Sequence, residues 1–281
     1  MSPASGPTVR HRRLASELRN RREHAGLTPE RAASLLGWSR PKLVAIETAK
    51  QPPRVQDVER MLELYGGDEP VRLALLQLAR DVRKRGWWSA YGDVLPGSYP
   101  ELENDAVLIR SWQTHVIPGL LQIDDYALAL IRGSRPDEDE EAHLRRLAVR
   151  ATRRTLLNRT NAPELHCILD EAVLHHSFGG RDVMRRQLLS LLESAERPNV
   201  RLRVVPWSAD AHPGIDGPFV LLGFEGPLNL DIAYLEGAVG VGAYLEDMEQ
   251  TKRCAETFER ISEVALSQEG SLALIMKLVE E

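Results

Sequence analysis

The stretch Leu27-Thr28-Pro29-Glu30-Arg31-Ala32-Ala33-Ser34-Leu35-Leu36-Gly37-Trp38-Ser39-Arg40-Pro41-Lys42-Leu43-Val44-Ala45-Ile46-Glu47 holds two short helical blocks separated by a glycine-containing turn. Thr28 reads as an N-cap, with Pro29 at the first helical position, where a missing N–H costs nothing. Thr28 and Arg31 do not make a capping box. Ala32, Ala33 and Leu36 recur at helical spacing, and Gly37 stops the block. After Trp38 and Ser39 a second block carries Leu43, Val44 and Ile46. Pro41 disfavours the α conformation at Arg40, which predicts Arg40 as cap and Pro41 as the first residue of a shortened helix.

Working outward, Leu14, Leu18 and Ala25 mark an earlier helix of about four turns. Beyond the Pro52-Pro53 break, Val55, Val58, Met61, Leu62 and Leu64 mark a later one that Gly66-Gly67 ends. Two short helices joined by a tight turn inside such a bundle form the helix-turn-helix arrangement. Residues 68–86 predict an amphipathic connecting helix, with Leu73, Leu76, Leu78 and Ala79 on its apolar face. Its basic end at Arg80, Arg83, Lys84 and Arg85 suits the helix dipole better than a second polyanion contact.

The chain has 281 residues, 43% hydrophobic and 27% charged, which suits two domains and excludes collagen-like or wholly disordered chains. Apolar runs fall far short of the roughly 18 residues a membrane span needs. The start of the chain has no apolar stretch of signal-peptide type, so a cytoplasmic location is expected. Two cysteines, Cys167 and Cys254, exclude a disulfide framework and a four-thiolate zinc site. Charge is split unevenly: residues 1–65 carry 12 Lys and Arg against 7 Asp and Glu, within a chain of net −5. A polyanion-binding module needs such a patch, although a solvated Arg-rich surface would show the same count.

The N-terminal residues also carry a resemblance. Leu18-Arg19, Glu23, Gly26-Leu27-Thr28, Ala33, Leu36-Gly37, Ser39 and Ile46-Glu47 resemble the Cro/repressor type of helix-turn-helix, the XRE family. In that family the third helix lies in the major groove of double-stranded DNA. The resemblance maps base contacts onto Ser39, Arg40 and Lys42, and backbone anchors onto Thr28, Lys50 and Arg54. Leu43 and Val44 would face inward or graze the groove. A phosphate would also suit the helix N-terminus. Pro29 stands where the family has a donor such as Gln, and Trp38 replaces a small aliphatic residue. Glu47 could read a cytosine, but pairing with an arginine of the first helix is the favoured reading.

From residue 87 the composition shifts to aromatics, Gly-Pro turns and acidic stretches. Helices are predicted over 102–112, 120–131 and 142–159, the last rich in arginine and preceded by an acidic loop. A strand over 165–169 and a short helix over 171–176 follow, then a helix capped by Asp182. Strands at 200–205, 219–224 and 230–234 would form a meander, followed by a long helix marked by Leu245, Met248, Phe258, Ile261 and Val264. Ser271 is the predicted cap of a last helix. The expected fold class is therefore multidomain: an all-α helix-turn-helix bundle plus a larger, helix-rich α+β domain. The expected divisions are a disordered tail over 1–9, the bundle over 10–66, the connecting helix over 67–86 and the α+β domain over 87–281.

This half resembles the DUF5753 domain that follows such a helix-turn-helix in the Scr1 family of antitoxin-like regulators of actinobacteria. The resemblance rests on Trp87-Trp88, Ile117-Pro118-Gly119-Leu120-Leu121-Gln122, Tyr126-Ala127, Asp170-Glu171-Ala172, Leu174, Pro198-Asn199-Val200, Val205-Pro206 and Gly217-Pro218-Phe219. A departure is the stretch Leu102-Glu103-Asn104-Asp105-Ala106. The resemblance implies a transcriptional regulator with a small DUF397-like protein as partner, and supplies neither cofactor nor catalytic residues. A homodimer is expected, because one short recognition helix touches few base pairs. Trp87 and Trp88, paired aromatics at a boundary, suit an interdomain joint or a partner contact as well as core packing.

Other clusters argue weakly for chemistry, and no enzyme is expected. His166, Cys167, Asp170, Glu171, His175 and His176 lack a second paired-ligand segment, and Cys167 reads as a small buried group in a strand. Gly237, Gly240 and Gly242 read as a turn, since no dinucleotide fingerprint completes around them. Ser177 beside His176 and Ser208 near His212 lack a nucleophile elbow. Arg145, Arg146, Arg150, Arg153, Arg154 and Arg159 read as a solvated helix face paired to Glu138–Glu141 or to a partner. The loop 207–219 fits either a binding loop or an ordinary connection. A ligand-sensing C-terminal domain is the alternative to partner control.

Overall fold

The computed structural model describes residues 7–83, 91, 99–225, 231–237 and 242–281. The chain divides into two compact units, 1–101 with 226–228 and 102–225 with 229–281. Trp87, Trp88 and Gly240, the last expected in a turn, lie outside the described residues.

The first unit is all-helical: α1 (Val9–His24), α2 (Pro29–Leu36), α3 (Arg40–Glu47), α4 (Val55–Tyr65) and α5 (Glu69–Asp81). Local chemistry sets the boundaries. The Thr8 hydroxyl accepts the His11 N–H at 3.3 Å and starts α1, so Val9, expected in a disordered tail, is a fully buried helical residue. The Thr28 hydroxyl accepts from Arg31 N–H at 3.2 Å, with Pro29 at the start of α2. Gly37 closes α2 in the left-handed region at φ 70°, where glycine meets no Cβ penalty. Ser39, rather than Arg40, caps α3. Its hydroxyl accepts the Lys42 N–H at 3.4 Å and its carbonyl the Leu43 N–H, so α3 starts at Arg40, one residue earlier than expected.

Leu14, Leu18, Ala33, Leu43, Ile46, Met61 and Leu75 are buried in one core. Leu75, Leu76 and Ala79 place α5 in that core, so the expected connecting helix is the fifth member of the bundle. It ends at Asp81, and Leu73, expected on its apolar face, is 55% exposed.

In the second unit, α6 (Tyr99–Asp105) leads into β1 (Leu108–Gln113), which replaces the second half of the helix expected over 102–112. A 3-10 turn (Gly119–Leu121), α7 (Asp124–Ser134) and α8 (Glu140–Arg154) return the chain to β2 (Glu164–Asp170). Then α9 (Ala172–His175) and α10 (Arg181–Ala195) lead to β3 (Val200–Val205). A long connection precedes β4 (Phe219–Gly223), β5 (Ile232–Leu235) and β6 (Ala243–Leu245), and α11 (Met248–Val264) and α12 (Gln268–Glu280) complete the unit.

The six strands form one mixed sheet in the order β3-β2-β1-β4-β5-β6. β1, β2 and β3 are parallel, each joined by a helical crossover, while β4, β5 and β6 run antiparallel in turn. The α+β class holds, but the expected three-strand meander is half of a larger sheet. Leu245 belongs to β6 and not to α11. Asp182 sits inside the first turn of α10, whose N-cap is Gly180. Ser267 caps α12, and Ser271 is fully buried, its hydroxyl accepting Val204 N–H at 2.9 Å and donating to the Ser267 carbonyl at 2.8 Å. No helix among the described residues is long and apolar enough to cross a membrane.

Candidate nucleic-acid interface

In the first unit the end of α3 is bolted from inside. Arg22 of α1 donates from Nε to both Glu47 carboxylate oxygens at 3.0 Å and from Nη1 to the Leu27 carbonyl at 2.7 Å. The Tyr65 hydroxyl reaches Glu47 at 3.4 Å. One guanidinium thereby ties α1, the approach to α2 and the last turn of α3. Burial pushes the Glu47 carboxyl up, against the opposing pull of Arg22. Glu47 is 6% exposed and committed to the interior, so it does not face a base.

The other end of α3 is open. Ser39 and Arg40 are exposed. Arg40 Nε contacts Glu30 of α2 at 2.5 Å, with both side chains about three-fifths open to solvent. A hydrogen bond to its own backbone N–H, and after it the Arg40 fork, hold the Glu30 carboxyl below its usual range. Lys42 is more constrained. Its Nζ lies 2.7 Å from Asp57 of α4 and 3.8 Å from the centre of the Trp38 ring. The Arg60 guanidinium flanks the same ring at 5.6 Å and donates to the Leu36 carbonyl at 2.5 Å. Trp38 is thus a partly buried platform for two cations, which accounts for a large aromatic in the turn.

The geometry narrows the phosphate site expected at this helix N-terminus. Pro41 has no N–H and Ser39 takes those of Lys42 and Leu43, leaving the Arg40 N–H as the first-turn donor still open among the described residues. Thr28 sits at the corresponding end of α2, its hydroxyl accepting the Arg31 N–H and bonding the exposed Glu30 carboxylate. Lys50 and Arg54 are exposed, and their side chains have no ion-pair partner among the described residues. Arg31, in the first turn of α2, is a further exposed cation without an ion partner there. Sequence reasoning missed it, although its place beside the Thr28 cap was a usable signal.

The second unit handles its arginines differently. The segment 117–122 is pinned by polar contacts: Tyr126 accepts the Ile117 N–H at 3.2 Å, and Gln187 bridges the Leu121 carbonyl and the Ile123 N–H at 2.8 Å each. Arg154 donates to the Gln122 carbonyl at 2.6 Å and to Asp124 at 2.5 Å, and Arg150 to the Gln122 side chain. Arg153 forks onto buried Glu103 with two bonds of 2.7 Å, its guanidinium about 3.5 Å from where a Cβ at Gly119 would stand. These arginines were expected on a solvated face and instead turn inward. Arg146 does pair with Glu138, at 2.6 and 2.7 Å.

Cys167 is buried in β2, which pushes its thiol up and leaves it unreactive. His166 contacts Glu164 at 3.2 Å and His175 contacts Glu171 at 3.4 Å. Trp207, in the loop before β4, is 65% exposed and stacks on His175 at 4.3 Å.

A family model described as a helix-turn-helix domain matches residues 13–75, and one described as a domain of unknown function, DUF5753, matches residues 97–277. The first match runs into α5, as its place in the core requires. No curated protein and no solved structure matches the chain. With a helix-turn-helix domain of the kind found in DNA-binding regulators in front and that second match over more than half its length, the chain belongs to the DUF5753 family.

Proposed function

We propose that this protein is a sequence-specific transcriptional regulator of the XRE, antitoxin-like type that inserts α3 into the major groove. The observation that carries the reading is the open first turn of α3, with Arg40 held, among the described residues, by a solvent-exposed pair, beside a last turn locked by Arg22 and Glu47. Ser39, Arg40 and Lys42 reach base edges, Arg suiting guanine O6 and N7. Thr28, Lys50 and Arg54, joined by Arg31, contact phosphates and set register. Two copies acting on half-sites one helical turn apart supply the specificity one short helix lacks.

Control comes through the second unit from a small DUF397-like protein. Exposed Trp207, of the residue type that anchors protein interfaces, supports that part of the reading. Trp87 and Trp88 are assigned to the same partner or to the interdomain joint. A cytoplasmic location follows from action on chromosomal DNA.

Selection of bound fragments from sheared genomic DNA, at two salt concentrations, tests the reading against the Arg40→Ala, Lys42→Ala double variant. A motif with two-fold symmetry that disappears in the variant is the expected result. Unchanged sequence preference in the variant removes α3 as the reader.

A further inference from the structure

The two cations assigned to base edges each face a carboxylate from another helix. Arg40, the first residue of α3, puts its Nε 2.5 Å from Glu30 Oε1, in the first turn of α2. Lys42 Nζ lies 2.7 Å from Asp57 Oδ1, in the first turn of α4. The two carboxylates differ in what else they do. Asp57 also accepts the Arg54 backbone N–H at 3.3 Å, and so helps to start α4. Glu30 stands on the open surface, bonded to its own backbone N–H and to the Thr28 hydroxyl, and these groups together with Arg40 keep it ionised.

An exposed pair such as Arg40 and Glu30 costs little to break in itself. What Arg40 turns to on DNA then depends on the anion that stands beside it. A duplex offers a guanidinium sequence-blind phosphates as well as base edges. A phosphate drawn to Arg40 brings a second anion against Glu30, within the roughly 8 Å over which charges act at physiological salt. Guanine O6 and N7 are neutral acceptors and meet no such repulsion. The closest approach to Glu30 is through Nε, and a guanidinium carries further N–H donors with which to meet a guanine while that contact is kept.

We propose that Glu30 is a specificity-determining residue: its carboxylate steers Arg40 away from phosphate and onto guanine, lowering affinity for DNA at large and raising discrimination among sequences. A charge on α2 thereby sets what α3 reads. The inference rests on the major-groove reading proposed above for α3.

Glu30→Gln tests it, because the amide keeps the shape and an acceptor for Thr28 while removing the charge. Fluorescence anisotropy on the full chain measures binding to three kinds of duplex: one carrying the motif that the wild type selects from sheared genomic DNA, the same duplex with each guanine replaced in turn, and a scrambled sequence. In Glu30→Gln, affinity for the scrambled duplex is expected to rise, with a salt dependence steeper by about one phosphate equivalent. Preference for guanine at the position read by Arg40 should fall about tenfold, within what one bidentate base contact supplies. In an Arg40→Ala background Glu30→Gln should lower that preference no further, which a merely structural role for Glu30 would not produce. Unchanged guanine preference in Glu30→Gln overturns the inference and leaves the regulator reading standing, as does a loss of equal size in the Arg40→Ala background. Guanine preference that survives Arg40→Ala at every position overturns it as well. A wild-type protein that selects no motif overturns both readings. Should Glu30→Gln fail to fold by circular dichroism, Glu30→Ala decides by the same readouts.

Discussion

Helices α3 and α8 both carry cations, and they aim them in opposite directions. On α3, Arg40 leans on Glu30 in a largely solvent-exposed pair, and Lys42 on Asp57 in a partly covered one. On α8, Arg153 is closed by buried Glu103, and Arg150 is set into the protein beside Gln122. The difference teaches what a charge count hides. An exposed pair contributes little and exchanges its carboxylate for a phosphate or a guanine at small cost, whereas a buried cation cannot leave its partner without stranding it. Basic residues become an interface where their present partners are weak.

The largest effect that would sharpen this contrast lies inside the first unit. Glu47→Ala strands Arg22 in the core and is expected to cost about 3–5 kcal/mol in urea denaturation. Replacing Arg22 and Glu47 together by apolar residues of similar volume should recover much of that loss. A single-variant loss below about 1 kcal/mol would show that the bolt under α3 is not the pair.

Next comes DNA binding. Removing Arg40 and Lys42 together should cost about 1–3 kcal/mol per lost base contact while leaving the unfolding midpoint nearly unchanged. A smaller effect separates the helices directly: Lys50→Ala should lower the salt dependence of DNA affinity by about one phosphate equivalent, and Arg145→Ala on α8 should leave that slope unaltered. Equal slopes for the two variants would erase the distinction between an outward-reading and an inward-bracing helix.

The smallest expected effect is on pH. His11 is 7% exposed near the start of α1, and burial lowers its pKa, against a hydrogen bond from its ring to the Gln51 backbone carbonyl that raises it. The folded state therefore favours the neutral ring. The stability this contributes is present above the unfolded pKa of about 6.5 and is lost as pH falls through the folded value. His11→Phe should flatten the stability profile in that window, and an unchanged slope would place the titration elsewhere.

Much of the first unit was legible because its signals act within one helical turn. Thr28, Pro29 and Gly37 announce the limits of α2 by what they do to neighbouring N–H groups. The pairing of Glu47 with an arginine of α1 was also readable, since an acid beside an apolar face needs a cation. Arg40 was misplaced by one residue because the constraint imposed by Pro41 competes with the Ser39 hydroxyl, and the cap prevailed. In the second unit β1 escaped because it is buried and carries Ser111 and Gln113 among its apolar residues, which gives no alternation. Ser267 and Ser271 offer the same local signal for starting α12, and the tie is broken by a bond from Val204 on another element.

The sequence by itself determined the helix-turn-helix, the cap and glycine stop of α2, the excess of basic residues at the start and the α+β character of the remainder. Tertiary structure decided the order of the six strands, the membership of α5 in the first core and the direction in which each arginine points. The reason is one of range. Caps, turns and helical periodicity arise from atoms a few residues apart, while strand neighbours and buried ion pairs join residues dozens of positions distant, whose partners only the folded chain selects.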